Sequence, residues 1–258
     1  DVRAVVDEAQ GCFIPTIDLE AYWLSRHFGD HPRVLSPPES LFSQIAKPLS
    51  DWPALGGAQP PPCVLVSDGQ EAMHAFGRKQ GWRLWLKGPY HDAIFIQSWE
   101  EVPGALARLR KYWDKDGVHL QRHVEGVHES IAFCAFGGEL LDAIWIVKND
   151  MTSQGKTVAG SALDMNREDR VALADFIART GWTGGGEVEL IRGPHNELWL
   201  IEVNPRFPSW IDGARHLGVN LPARMVAHVF GTEAPGESLA ADGFVRVQTE
   251  IPAQRKYK

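Results

Sequence analysis

The chain has 258 residues, 44% of them hydrophobic and 23% charged, and a formal net charge of −7, a make-up that can bury a core without metal or disulfide staples. No Lys/Arg run offers a footprint for a nucleic-acid backbone, and no stretch approaches the roughly 18 apolar residues of a membrane span, so neither partner is expected. The cysteines, Cys12, Cys63 and Cys134, are far apart and lack CxxC or Cys/His spacing, which fits a reducing cytoplasm better than a disulfide framework or a thiolate metal site.

The opening segment reads as one β-α step: a strand from Cys12 to Pro15, then a helix with Asp18 as N-cap and Leu19, Trp23 and Leu24 at helical spacing. One such unit cannot bury both faces of a sheet, so residues 1–40 are expected to be the remnant of a longer N-terminal α/β domain. From Pro37 to Pro62 the chain is rich in Pro, Gly and Ser, with a helical patch near Leu41 to Leu49; this predicts a boundary. VLVSDGQEAMHAFGRKQGWRLWLKG follows as strand, helix, strand, its helix over Gly69 to Lys79 carrying Ala72, Met73 and Phe76 and closed by Gly81. AIFIQSWEEVPGALARLRKYW gives a further strand and a helix spaced by Ala105, Leu106, Leu109 and Trp113. VHLQRHVEG then opens a run of strands in which SIAFCAF and LLDAIWIV form a hairpin across Gly137-Gly138. A polar segment runs from Lys148 to Ala162, and within it about Met151 to Gly160, with Gly155-Lys156 and no apolar periodicity, predicts a mobile loop at the mouth of a site, as does the region of His91. A helix over Arg167 to Thr180, a second hairpin EVELIRGPHNELWLIEVN and a helix over Leu221 to Phe230 complete the pattern.

The second hairpin carries the chemistry. A turn centred on Pro194 to Glu197 sets Glu189 opposite Glu202. Alternation then places Glu202, Asn204 and Arg206 on one face, with Leu198 and Leu200 sharing their parity. Two carboxylates and an amide oxygen are the hard donors that Mg²⁺ prefers, and Arg206 adds positive charge beside them. Each residue alone reads equally well as a solvated strand position or an Asn-Pro turn; the combination points to a site.

That combination resembles the ATP-grasp metal motif, a Glu on one strand followed by Glu-x-Asn-Pro-Arg on the next, which LIEVNPRF matches residue for residue. The resemblance covers about Pro37 to Gly231 and implies an α/β (α+β) fold of two lobes clasping a nucleotide, with residues 41–121 as the small lobe and 122–258 as the large lobe bearing the metal site. It implies ATP with Mg²⁺, or Mn²⁺ in its place, held by Glu189, Glu202 and Asn204. By the same resemblance Lys87, at the end of LWLK, and Lys47 upstream hold phosphates, and Gln121 to Val124 form the adenine hinge. The ribose falls to Glu129, with His128 as the neighbouring alternative, and Lys148 and Arg206 are the catalytic cations around the transferring phosphoryl group. Two departures stand out: Gly88 alone precedes Pro89-Tyr90-His91-Asp92-Ala93 where many members have a glycine-rich loop, and Gln121 stands where a Glu is common. GVNLP and FPSWIDGA look like a carbamoyl-phosphate-synthetase-type branch, although Phe207 and Trp210 read first as core aromatics.

The activity so implied is an ADP-forming ligase that converts the carboxylate of a small molecule or peptide to an acyl phosphate for attack by an amine or thiol. A cytoplasmic protein is expected, and a homodimer is compatible with the pattern. A nucleotide-binding regulatory or scaffold module, and a small-molecule kinase on the same fold, are the alternatives from other classes.

Overall fold

Period-2 and helical patterning resolve into two antiparallel sheets in the computed structural model, which describes residues 4, 7–8, 10–49, 57–90, 92–113, 117–153, 155–234 and 241–247. Helices α1 (Asp18–Phe28) and α2 (Glu39–Ile45) come first, then β1 (Cys63–Leu65), α3 (Gln70–Lys79), β2 (Leu84–Lys87), β3 (Ala93–Ile96), α4 (Val102–Leu109) and β4 (His119–Arg122). The second half holds β5 (Val127–Phe136), β6 (Glu139–Met151), β7 (Thr157–Leu163), α5 (Arg167–Thr180), β8 (Gly184–Arg192), β9 (Leu198–Asn204), α6 (Ile211–His216), α7 (Leu221–Phe230) and β10 (Gly243–Val245).

The smaller sheet has strand order β1-β4-β2-β3. Its Leu84, Leu86, Ile96 and Leu120 pack with Met73 of α3 and Val102 and Leu109 of α4. Strand alternation therefore sends Trp85, Lys87, His119 and Gln121 to the opposite face. The larger sheet runs β10-β7-β6-β5-β8-β9 and is buried on both sides. One face packs Ile131, Phe133, Val188 and Leu190 around Trp182 and Phe176; the other packs Ala132, Cys134, Ile144 and Ile146 against Trp210 and Met225. The predicted hairpin between β5 and β6 turns at Gly137 and Gly138, whose φ values of 56° and 83° a side chain would resist. Gly185 is needed for a different reason: a Cβ there would lie 2.6 Å from the ring of Phe207.

The two sheets meet along β9. The backbone of Gln59 donates to the carbonyl of Leu198 at 3.2 Å and accepts from the amide of Leu200 at 2.9 Å, while the Arg122 guanidinium lies 4.3 Å from the centre of the Trp199 ring. Residues 123–126 carry the chain from β4 to β5 and so from the smaller sheet to the larger.

Several expectations are corrected. Leu41, Phe42, Ile45, Leu49 and Ala58, expected in the smaller lobe, lie in the same core as Trp182, as does Ala21 of α1. Leu35 packs in the other core of the larger sheet. An amphipathic α2 buries its apolar face where apolar surface is open to it, and here that is the larger sheet. Asp18 is not the N-cap of α1; Ile17 holds that position without a side-chain cap, and Asp18 is in the first turn. The stretch from Met151 to Gly160, expected as a loop, belongs largely to the β6–β7 hairpin, with Met151 paired to Thr157, Gly160 paired to Lys148, and Thr157 buried. Its polar composition hid the strands because edge pairing on both sides, to β6 and β10, supplies what periodicity does not. His91 lies outside the described residues.

A bulge in β9 corrects the parity argument. Glu189 pairs with Glu202, as the turn predicts, but the next pair is Leu190 with Leu200, which leaves Ile201 as the extra residue. Leu200 and Val203 accordingly face the Trp182 core, and Glu202 and Asn204 face the other way, rather than sharing a face with Leu200.

Candidate active site

Four acidic or amide side chains line up on that other face in two opposed pairs, Glu187 with Asn204 and Glu189 with Glu202. The first pair is internally saturated. Glu187 is 3% exposed and accepts from Ser130 Oγ at 2.8 Å, Trp210 Nε1 at 3.0 Å, Asn204 Nδ2 at 3.0 Å and Arg206 Nη1 at 3.3 Å. Four donors fill its acceptor sites, so Glu187 orients Asn204 and Arg206 rather than offering an open oxygen. With the Asn204 amide nitrogen turned to Glu187, its Oδ1 has no part in that network.

The second pair is half filled. Lys148 Nζ lies 2.9 Å from Glu189 Oε2, and Lys47 Nζ donates to Glu202 Oε2 at 3.0 Å. Each carboxylate thus has one lysine on one oxygen. Burial pushes the Glu189 carboxyl above its ordinary pKa, with Lys148 opposing and the charges of Glu187 and Glu202 reinforcing the rise. Burial acts the same way on Glu202, but Lys47, Lys87 and Arg206 outweigh it and hold Glu202 below the usual range. For Lys148, burial works to lower the pKa, and the carboxylates of Glu189, Glu187 and Glu202 raise it overall.

Among the described residues Lys87 has no carboxylate of its own. It is buried and donates to Gln121 Oε1 at 2.7 Å; burial, and then the like charge of Lys47, lower its pKa to about 8. Lys47 is tied to the segment after Lys87 by its amide, which donates to the Pro89 carbonyl at 2.7 Å. Beside them His119, the register partner of Lys87, is fully buried. Its Nδ1 lies 2.9 Å from the Gly117 carbonyl, Nε2 has no hydrogen-bond partner among the described residues, and burial lowers its pKa to about 4. It is a neutral residue at a site of lysines.

Of the expected residues, Lys47, Lys87, Lys148, Glu189, Glu202, Asn204 and Arg206 converge on this cleft, and Gln121 reaches it through Lys87. Val124, 9% exposed, sits in the crossing between the sheets. Glu129 does not converge. It pairs across the strands with Leu190 and Val147 and shares the face of Ile131 and Phe133. There Arg192 grips it with two bonds, Nε to Oε1 at 2.6 Å and Nη2 to Oε2 at 2.9 Å. Alternation puts His128, the alternative, on the face of Ser130 and Glu189; burial and the charge of Lys148 lower its pKa.

Two residues of the cleft escaped sequence reasoning. Glu187 sits two positions before Glu189 in EVEL, so alternation alone could have found it. Asp18 looked like a helix cap, yet its Oδ1 lies 3.2 Å from Arg206 Nε; burial raises its pKa, and Arg206 opposes the rise. The cleft has two compartments that share Ile17, Asp18, Glu202 and Asn204. One, about 450 Å³, is polar and holds Lys148, Glu187, Glu189 and Arg206. The other, about 430 Å³, is walled by Leu19, Tyr22, Phe42, Ile45, Tyr90 and Trp113, with Lys47 at its edge.

The donor set suits a hard cation. Among the described residues no three Asp, Glu, His or Cys side chains close a cage on their own, but Mg²⁺ characteristically takes one or two carboxylates and completes its shell with water and phosphate oxygens. Glu189, Glu202 and the Asn204 amide fit that pattern. Among the described residues no helix is long and apolar enough to cross a membrane.

Comparison with known proteins reaches the fold by structure alone. No family model matches the chain, and no curated protein matches it in sequence. Among solved structures it is similar to the biotin carboxylase domain of 2-oxoglutarate carboxylase from Hydrogenobacter thermophilus, a dimer in complex with MgADP, ADP and bicarbonate, at a TM-score of 0.68 and 15% identity over 91% of this chain and 58% of that one. N5-carboxyaminoimidazole synthase from Aspergillus clavatus, in complex with ADP and 5-aminoimidazole ribonucleotide, gives 0.67 at 13% identity over 92% of this chain and 64% of that one. L-amino acid ligase from Bacillus licheniformis gives 0.61 at 12% identity over 88% and 57%. The chain therefore spans less than two thirds of the length of these proteins. The fold is ATP-grasp.

Proposed function

We propose that the chain binds Mg-ATP between its two sheets and forms the nucleotide-binding body of an ADP-forming ligase that activates a substrate carboxylate as an acyl phosphate for attack by an amine or similar nucleophile. The observation that carries this reading is the half-filled pair: Glu189 and Glu202 face each other across β8 and β9, each held by one lysine, with Lys87 and Arg206 beside them. Cations that outnumber the open carboxylates suit a polyanion. The complexes with MgADP and with ADP among the similar structures support the same reading.

In this assignment Glu189, Glu202 and Asn204 Oδ1 would hold Mg²⁺, or Mn²⁺ in its place, and the metal when bound would offset charge on the phosphate oxygens. Lys47 and Lys87 receive phosphates, which removes the like-charge and burial cost that Lys87 bears in the free protein. Gln121 and Val124 line the adenine hinge. His128 replaces Glu129 at the ribose, because the Glu129 carboxylate is on the far face and spent on Arg192. Lys148 and Arg206 stabilise charge that grows as the phosphoryl group moves to the carboxylate oxygen, and Glu187 keeps Arg206 aimed. No cysteine competes as a nucleophile: Cys134 is fully buried, with burial pushing its thiol up to about 12, and burial also raises Cys12 and Cys63.

The test is product analysis with the full chain, Mg-ATP, hydroxylamine and a panel of carboxylic acids. A hydroxamate formed together with ADP and phosphate is the expected result. AMP and pyrophosphate would show adenylation and overturn the mechanism.

A further inference from the structure

We propose that the apolar compartment is the acceptor pocket of the reaction, that it takes a primary amine bearing an apolar, ring-sized group, and that Asp18 receives the ammonium. The inference deepens the ligase reading and rests on it for the chemistry. For the pocket itself it rests on three independent features.

The first is the composition of the walls. Ile17, Leu19, Tyr22, Phe42, Ile45 and Trp113 line an open cleft of about 430 Å³, ample for a ring, since roughly 150 Å³ suffices for a closed cavity to accept benzene. A polar metabolite would gain nothing from such walls, whereas burying an aromatic or branched aliphatic group there is favourable at roughly 25 cal/mol per Å². The second is position: this compartment meets the polar one at Ile17, Asp18, Glu202 and Asn204. A molecule seated in it therefore presents its polar end to the phosphate-side machinery. The third is the carboxylate at that junction. The Asp18 side chain is 40% exposed and ion-paired with Arg206, whose Nε lies 3.2 Å from Oδ1, but that oxygen is itself screened from solvent and accepts no hydrogen bond from the described residues. A buried carboxylate oxygen without a donor calls for one, and an ammonium supplies up to three.

Charge decides between an amine and an acid as occupant. Asp18 and Glu202 both line the apolar compartment, and the cations nearest them are already engaged: Lys47 is bonded to Glu202, and Arg206, on the polar side of the junction, is shared between Glu187 and Asp18. A carboxylate arriving through the apolar side would meet Asp18 first; an ammonium is attracted. Burial raises the Asp18 pKa, which makes it a better proton acceptor than a solvated aspartate. The step balances without a further reagent. The ammonium gives one proton to the Asp18 carboxylate, the freed nitrogen bonds to the acyl carbon, the bond from that carbon to the phosphate oxygen breaks, and the departing phosphate takes the second proton from nitrogen.

The test is calorimetry on the full chain, with and without Mg-ADP, using 2-phenylethylamine, 1-hexylamine, ethanolamine, 1-hexanol and 3-phenylpropionate. Both apolar amines should bind at least tenfold more tightly than ethanolamine, hexanol and phenylpropionate. Asp18→Asn should remove that advantage, and Leu19→Lys, at a residue 67% exposed and therefore safe for folding, should abolish binding of the apolar amines. Phenylpropionate or hexanol binding as tightly as the amines would overturn the proposal, and so would amines that fail to bind a protein that still binds Mg-ADP. Amine binding to a chain that does not bind Mg-ADP would keep the pocket and sink the nucleotide reading instead.

Discussion

The two faces of the six-stranded sheet each bury carboxylates against cations, and they do so in opposite ways. Beneath the Trp182 core, Arg192 grips both oxygens of Glu129, its Nη1 donates to Asn196 Oδ1 at 3.0 Å, and its guanidinium lies 5.7 Å from the centre of the Trp145 ring. On the cleft face, Lys148 and Lys47 each take one oxygen of Glu189 and Glu202, and Lys87 has only an amide for company. A pair that closes its own valences holds a fold together. A pair left half open is arranged for a third party.

The largest single effect belongs to the closed pair and falls on stability. Glu129→Gln leaves Arg192 without its counter-charge and should cost about 3–5 kcal/mol, read as a lower denaturation midpoint, whereas Glu129→Leu with Arg192→Met should recover most of it. A Glu129→Gln protein that keeps its stability but loses nucleotide affinity would return Glu129 to the ribose and break the comparison. Next comes the open face. Arg206→Ala should slow phosphoryl transfer by about 10²–10³-fold, or about 3–4 kcal/mol, with a much smaller change in Mg-ATP affinity measured by calorimetry. An unchanged rate would make Arg206 a structural partner of Glu187 and Asp18.

Lys87→Met should produce a smaller effect with the unusual sign of a gain. Removing a buried ammonium that the free protein holds at a cost should stabilise the apo chain on the order of 1–3 kcal/mol, seen as a higher Tm, while Mg-ADP binding is lost. The linkage follows from the lowered value: between pH 8 and 10.5 the unfolded chain keeps a proton that the folded one has shed, so stability rises with pH across that window in the wild type and not in the variant. The smallest effect is on affinity. Phosphate needs the charged amine, so Mg-ADP binding should weaken above about pH 8, by up to about tenfold per unit; titrations at pH 7 and 9.5 that give equal affinity would remove Lys87 from the phosphates.

Sequence carried the hairpin of β8 and β9 far: turn position alone set Glu189 against Glu202, and LIEVNPRF named the residue types that a hard cation needs. What it could not carry was anything decided by a partner distant in the chain. Asp18 reads as a cap until Arg206 is seen 3.2 Å away. Glu129 and His128 are neighbours in sequence, and only the burial of Ile131 and Phe133 on one side tells which of them faces the cleft. Leu41, Phe42 and Ile45 advertise an apolar helix face without saying which sheet receives it, and the strand at Thr157–Leu163 owes its existence to neighbours on both sides rather than to its own residues.

The bulge at Ile201 makes β9 a strand with two phases. Before it, Leu200 points to one side of the sheet; after it, Val203 points to that same side, an odd step where a regular strand allows only even ones. Substituting Ile201 leaves this phase shift in place, but deleting it would not. Without the extra residue, whichever half of β9 kept its place would force the other to turn over, either sending Glu202 and Asn204 into the wall of leucines and aromatics or sending Leu198 and Leu200 out of it. Loss of one residue whose side chain takes no part in the chemistry is thus the smallest lesion that turns this site inside out.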